Sequence, residues 1–138
     1  MELNPEIWGP HFWFFLQTIS LIYPLKPNDV IKKKYYNFVQ NIPLFIPNPQ
    51  LKKKFCDLLD TSPVSPYLDS QASFAKWVHY INNQMNIHLN IESVNYEKYL
   101  ETYYQHYKIK DKKSDNKDTY KFVVIMAFIG LIIFLYHK

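Results

Sequence analysis

The chain has 138 residues, enough for one small domain with its own core, and a formal charge of +4 that is too mild to mark a nucleic-acid surface. All 16 basic residues are lysine, so bidentate guanidinium reading of bases is absent and no nucleic-acid partner is expected. Two glycines exclude a glycine-rich phosphate loop, and the single cysteine, Cys56, excludes an internal disulfide or a CxxC metal knuckle.

In chain order, "IWGPHFWFFLQTISLIYPL" places Trp8, Phe12, Phe15, Leu16 and Ile19 at helical spacing, and Pro24 ends the run. "PNDVIKKKYYNF" and "PNPQLKKKFCDL" share one helix-start grammar. Asn28 and Asn48 are candidate N-caps, and Pro49 suits a first helical position, which predicts helices over 29–41 and 49–60. A fourth helix is predicted from about Ser70 to Leu89 and a fifth from Ser93 to His106. No stretch alternates convincingly, so no sheet is expected. Trp13, Phe15, Leu16, Phe38, Leu58, Phe74, Trp77, Ile81 and Leu89 form the predicted core.

Residues 108–121, "KIKDKKSDNKDTYK", have no apolar period and read as a solvated linker. Residues 122–136, "FVVIMAFIGLIIFLY", form an unbroken apolar run between Lys121 and His137–Lys138. As a helix they reach about 22 Å. The hydrocarbon core is about 30 Å, and flanking Tyr and Lys extend the reach by snorkelling. The expected organisation is a helical domain over 1–106, a charged linker over 107–121 and a transmembrane tail anchor over 122–136. The lysines then keep the helical domain on the cytoplasmic side.

The fourth helix carries the unusual chemistry. Phe74, Trp77, Val78, Ile81, Met85 and Leu89 gather on one side of a wheel, and His79, Asn83, Asn86 and Asn90 gather opposite. Such an amide arc is either a solvated face or a set of groups that reads the edge of a flat polar ligand. Five scattered histidines show no metal-binding spacing, so no metal site is expected. The serines of "TSPVSPYLDSQAS" have no nucleophile context, and Cys56 is expected as an inert core thiol beside Phe55 and Leu59.

"WGPHFWFFLQTISLIYP" resembles the opening helix of the Erv/Alr flavin-dependent sulfhydryl oxidases, W-G-x-x-x-W-x-x-L-H ending near Y-P. "SFAKWVHYINNQMNIHLN" resembles their W-x-x-x-x-H-N-x-V-N-x-x-L signature, and Tyr96, Tyr99 and Tyr103 resemble the aromatic ladder of short viral members. The resemblance covers residues 5–105 in the right order. It implies an all-α four-helix bundle with a short fifth helix, and a homodimer or other protein partner. It also implies an FAD site over Trp8, Gly9, Trp13, Gln17, Trp77, Asn82, Asn83, Asn86 and Tyr96. The chain departs from the pattern where the family's redox pair lies: Pro47 and Gln50 stand at the CxxC positions, and Gln17 and Asn82 replace two histidines. No catalytic residue is therefore assigned, because without a dithiol the family's electron route from substrate thiols to the ring is missing. The expectation is a membrane-anchored, catalytically inactive Erv/Alr-like protein with a structural or scaffolding role. Large DNA viruses commonly carry this family, which points to a virion inner membrane or an assembly membrane. The alternative is an FAD-linked thiol oxidase using cysteines of a partner chain; an adaptor that dimerises with an active oxidase lies between the two.

Overall fold

The computed structural model describes residues 3–108 and 120–126. Among them there is no strand. Four helices follow in order: α1 (Pro5–Leu21), α2 (Asp29–Asn41), α3 (Pro49–Thr61) and α4 (Gln71–His88). Short 3-10 turns occur at Ile42–Phe45 and Ser65–Tyr67. A fifth helix, α5, covers 96–108, and residues 120–126 are helical. The chain divides into two compact units, Met1–Tyr99 and Leu100–Lys138. The expected span over 122–136 lies mostly outside the described residues, as does most of the linker. Among the described residues no helix is long and apolar enough to cross a membrane.

The helix starts follow local chemistry. Asn4 Oδ1 accepts from Glu6 N at 2.9 Å, Asn28 Oδ1 from Ile31 N at 2.9 Å and Asn48 Oδ1 from Leu51 N at 3.0 Å. Ser70 Oγ accepts from Ser73 N at 3.2 Å and Asn95 Oδ1 from Lys98 N at 2.8 Å. Each such cap is worth about 1 kcal/mol. The Asn95 cap starts α5 at residue 96, three residues later than the expected Ser93.

In the first unit α1 packs along α4, and α3 also packs on α4. Phe74 and Trp77 stack at 6.2 Å, and Tyr23 meets Phe74 edge-on at 5.2 Å. Tyr23 Oη donates to Leu68 O at 2.8 Å, which ties the end of α1 to the turn before α4. Gln71 Nε2 also donates to Leu21 O at this junction. Trp77 is buried, and its Nε1 donates to Ser62 O at 2.9 Å.

Two expected core residues are not in the core. Phe15 is 52% exposed and Leu89 38% exposed. On α1 the inward row is Trp13, Leu16, Gln17 and Ser20, so Phe15 is turned off it by one residue. The row was obscured because two of its members are polar. Gln17 Nε2 donates to Tyr99 O at 3.2 Å and Ser20 Oγ donates to Gln17 O at 2.7 Å, which lets both be buried. Leu89 is the C-cap of α4, just past the packed turns.

Candidate functional site

The N-terminal turns of α1 and the C-terminal turns of α4 enclose a cleft of about 590 Å³, within the usual range of small-molecule sites. Trp13, Gly9 and Pro10 line one side; Asn82, Asn86 and Leu89 line the other. Asn4, Pro5, Glu6 and Ile91 complete the rim. A Cβ built on Gly9 meets nothing within 4 Å, so this backbone is open to close approach from the cleft. A second, narrow gap of about 20 Å³, little more than one water, lies toward α3. Trp8, Phe12, Ile46, Leu51 and Met85 pack around it.

At the cleft's inner wall Asn82 is 8% exposed, and its Oδ1 is buried with no hydrogen-bond partner. Tyr99 Oη behind it is also buried without a bond of normal geometry. Burial pushes the Tyr99 hydroxyl well above the usual tyrosine pKa, while the nearby Asn82 amide pulls weakly the other way. Native interiors rarely leave two such groups unsatisfied; here the two neighbour each other and both are closed off from solvent.

The other amides of α4 have different employment. Asn83 Nδ2 donates to Val94 O at 2.8 Å, and Val94 N donates to Asn83 Oδ1 at 3.2 Å. His79 Nε2 lies 2.7 Å from the same carbonyl. The His79 ring contacts Tyr96 at 5.4 Å and Tyr99 at 4.9 Å between centroids. His79 and Asn83 thus strap the 91–95 segment and the start of α5 to α4. Asn90 is left-handed, with φ 57°, and ends α4 in a Schellman turn: Ile91 N donates to Asn86 O at 2.8 Å and Asn90 N to Ile87 O at 3.1 Å.

Of the nine residues expected at a flavin site, Gly9, Trp13, Asn82 and Asn86 line the cleft together. Trp8 borders the gap beside it and its Nε1 donates to Leu3 O at 3.3 Å. Gln17 is held by Tyr99, Trp77 belongs to the core, and Asn83 and Tyr96 belong to the strap. The cleft residues that sequence reasoning missed are Asn4, Pro5, Glu6, Pro10, Leu89 and Ile91. Their only signal was their place at the ends of the two helices whose motifs were recognised.

Pro47 and Gln50 are exposed around the N-cap of α3, and neither lines the cleft. Cys56 is a free thiol, half-buried rather than in the core, in a shallow depression with Lys52, Leu59 and Asp60. It lies one residue off the buried row Leu51, Phe55, Leu58 and Leu59. Among the described residues no cluster of His, Cys, Asp or Glu could hold a metal.

The family's ring chemistry and this cleft agree in part. Trp13 and the open Gly9 backbone leave room for a flat ring, with Asn86 at the same wall. The only charged residue lining the cleft among those described is Glu6, which does not suit a diphosphate.

The chain is similar to known proteins over most of its length. A protein of Acanthamoeba polyphaga mimivirus, described as a probable FAD-linked sulfhydryl oxidase, is 27% identical over 115 residues, 83% of this chain and 80% of that one. A relative named for the same activity, from Invertebrate iridescent virus 3, is 23% identical over 90 residues, 65% of this chain and 61% of its own. The crystal structure of the yeast Erv1 core superposes with a TM-score of 0.62 at 20% identity, covering 67% of this chain and 77% of that one, and so shares its fold. Residues 10–105 match the Erv1 / Alr family, a stretch that holds the α4 motif, the Tyr ladder and all of the α1 motif but its opening Trp8-Gly9; the chain belongs to that family.

Proposed function

We propose that this chain is a catalytically inactive member of its family, held at a membrane and serving a structural or scaffolding role. The observation that carries the reading is chemical: the chain's one thiol, Cys56, has no second cysteine to pair with and lies in a depression that shares no lining residue with the cleft. A dithiol oxidase must form and re-form a disulfide next to its electron acceptor, which takes two sulfurs. Between the cleft and α3 only a gap of about 20 Å³ remains, lined by apolar side chains including Trp8, Phe12, Ile46 and Leu51 and by no cysteine.

The apolar run 122–136 supports a single-pass tail anchor with the helical domain on the cytoplasmic side, and the viral relatives support a virion or assembly membrane. Exposed Ile7, Phe15 and Ile22 along α1 support a protein partner or a second copy of the chain. The test is genetic: a Cys56→Ser chain restores whatever loss deletion of the gene causes, as fully as the parent does. Failure of that variant, with normal protein level, contradicts a role free of thiol chemistry.

The retained cleft favours a second reading, an FAD-linked thiol oxidase working with cysteines supplied by a partner chain, in line with the names of the relatives. It predicts that the chain isolated with its partner turns over dithiols when the chain alone does not.

A further inference from the structure

We propose that the corner between α2 and α3 docks on an anionic lipid bilayer, with Leu44 and Phe45 entering the headgroup layer and Lys52 and Lys53 meeting lipid phosphates. The inference rests on the membrane reading above and deepens it by naming the surface of the helical domain that faces the lipid.

Packing forces the two apolar side chains outward. Ile42, Pro43 and Ile46 are buried and fix the 3-10 turn Ile42–Phe45 to the core of the first unit. Between them Leu44 is 67% and Phe45 71% exposed, and no other phenylalanine among the described residues is as exposed. Pro43 and Pro47 restrict φ on either side, which limits how the turn can rearrange to cover the pair. Entry into a bilayer interface removes both side chains from water without moving the backbone.

Charge decides which apolar environment fits. Lys52 lines the shallow depression beside Leu44 and Pro43, and Lys53 next to it is exposed. Neither forms an ion pair among the described residues. Asp60 is the one carboxylate among the described residues of that depression. From Val30 to Cys56 the chain has six lysines and no carboxylate, whereas the rest of residues 1–106 has three lysines and nine carboxylates. The corner is thus the apolar tip of a basic stretch in a domain that is otherwise acidic. Such a tip, rimmed by lysine, matches the acyl boundary and the phosphates of an anionic leaflet. The exposed row Ile7, Phe15 and Ile22 makes the contrast: α1 contains no lysine and one glutamate, which suits a protein partner instead. An anchor at 122–136 would keep the corner within one linker of the bilayer, so a weak surface contact is enough to orient the domain.

The test uses the full-length chain in a Cys56→Ser background, reconstituted with vesicles, with Phe45→Cys carrying an environment-sensitive nitrobenzoxadiazole label. The label is expected to brighten at least about twofold on phosphatidylcholine vesicles containing about one-third phosphatidylserine, and to stay near its aqueous value on phosphatidylcholine alone. The same label on Val30→Cys, an exposed position at the opposite end of α2, is expected to stay aqueous on both. Lys52→Glu with Lys53→Glu is expected to lower the docked-to-undocked ratio at Phe45 by at least about tenfold, and high salt is expected to act in the same direction. A Phe45 label that stays aqueous on anionic vesicles overturns the proposal and leaves the pair to a protein partner. Equal responses at Val30 and Phe45, or a response indifferent to lipid charge, also overturn it. Carbonate extraction of the same samples reads the anchor separately. A chain that resists carbonate while Phe45 stays aqueous keeps the anchor and loses the docking; a chain released by carbonate whose Phe45 label responds keeps the docking and loses the anchor.

Discussion

Replacing Tyr99 by Phe should stabilise the protein. The ring is 8% exposed and rests against His79, contacts that Phe keeps. The hydroxyl is buried with no partner of good geometry, and a buried unsatisfied polar group costs about 1–3 kcal/mol. Its weak interaction with the Asn82 amide is lost on replacement, which takes back part of the gain. A net stabilisation of about 1 kcal/mol is expected at neutral pH, or about 4–8 °C in Tm for a unit of this size. The pH dependence has a definite sign. Burial holds the folded hydroxyl protonated above the ordinary tyrosine value of about 10, where the unfolded chain releases its proton. The unfolded state then binds fewer protons, so the parent loses stability as pH rises above about 10, and Tyr99→Phe removes that loss. Urea unfolding at neutral pH and above pH ~10 measures both effects. A Phe variant less stable than the parent by about 1 kcal/mol at neutral pH would show the hydroxyl to be paired, and would refute the reasoning about the orphan groups at the inner wall.

Truncating Trp77 to Ala should cost about 3–5 kcal/mol in the same assay, since the ring is buried against Phe74 and its Nε1 bonds Ser62 O. Asn83→Ala should cost about 1–2 kcal/mol and speed amide exchange at Val94, whose backbone it holds through two hydrogen bonds. The full-length chain should stay with membranes in carbonate extraction, and a chain ending at Ser114 should not; release of the full-length chain would remove the anchor.

The residues that made the fold legible were those whose local chemistry needs no partner. Asn28 and Asn48 cap the helices they were read to cap, and the 29–41 and 49–61 bounds follow within a residue. Tyr23 and Trp77 were recognised as family residues and prove to be structural pins. The amide face of α4 was not separable by periodicity, because its asparagines do three different jobs. Asn86 lines the cleft, Asn83 grips Val94, and Asn90 adopts the left-handed cap just past the helix. Gln17 and Ser20 were invisible as inward residues for a related reason: burial of a polar side chain depends on a bond partner, here Tyr99 O and Gln17 O, that no local pattern announces. The cleft's rim residues come from helix ends, where the chain's direction rather than its period decides what meets what.

The central claim is that this member of the Erv1 / Alr family does not oxidise thiols by itself. Oxygen uptake by the purified full-length chain with dithiothreitol, with FAD added in one run and riboflavin in another, tests it most directly. The account predicts a rate equal to that of the flavin alone, unchanged by Cys56→Ser. Turnover well above that background, abolished by Cys56→Ser, would contradict it and place an intermolecular thiol mechanism at Cys56 instead.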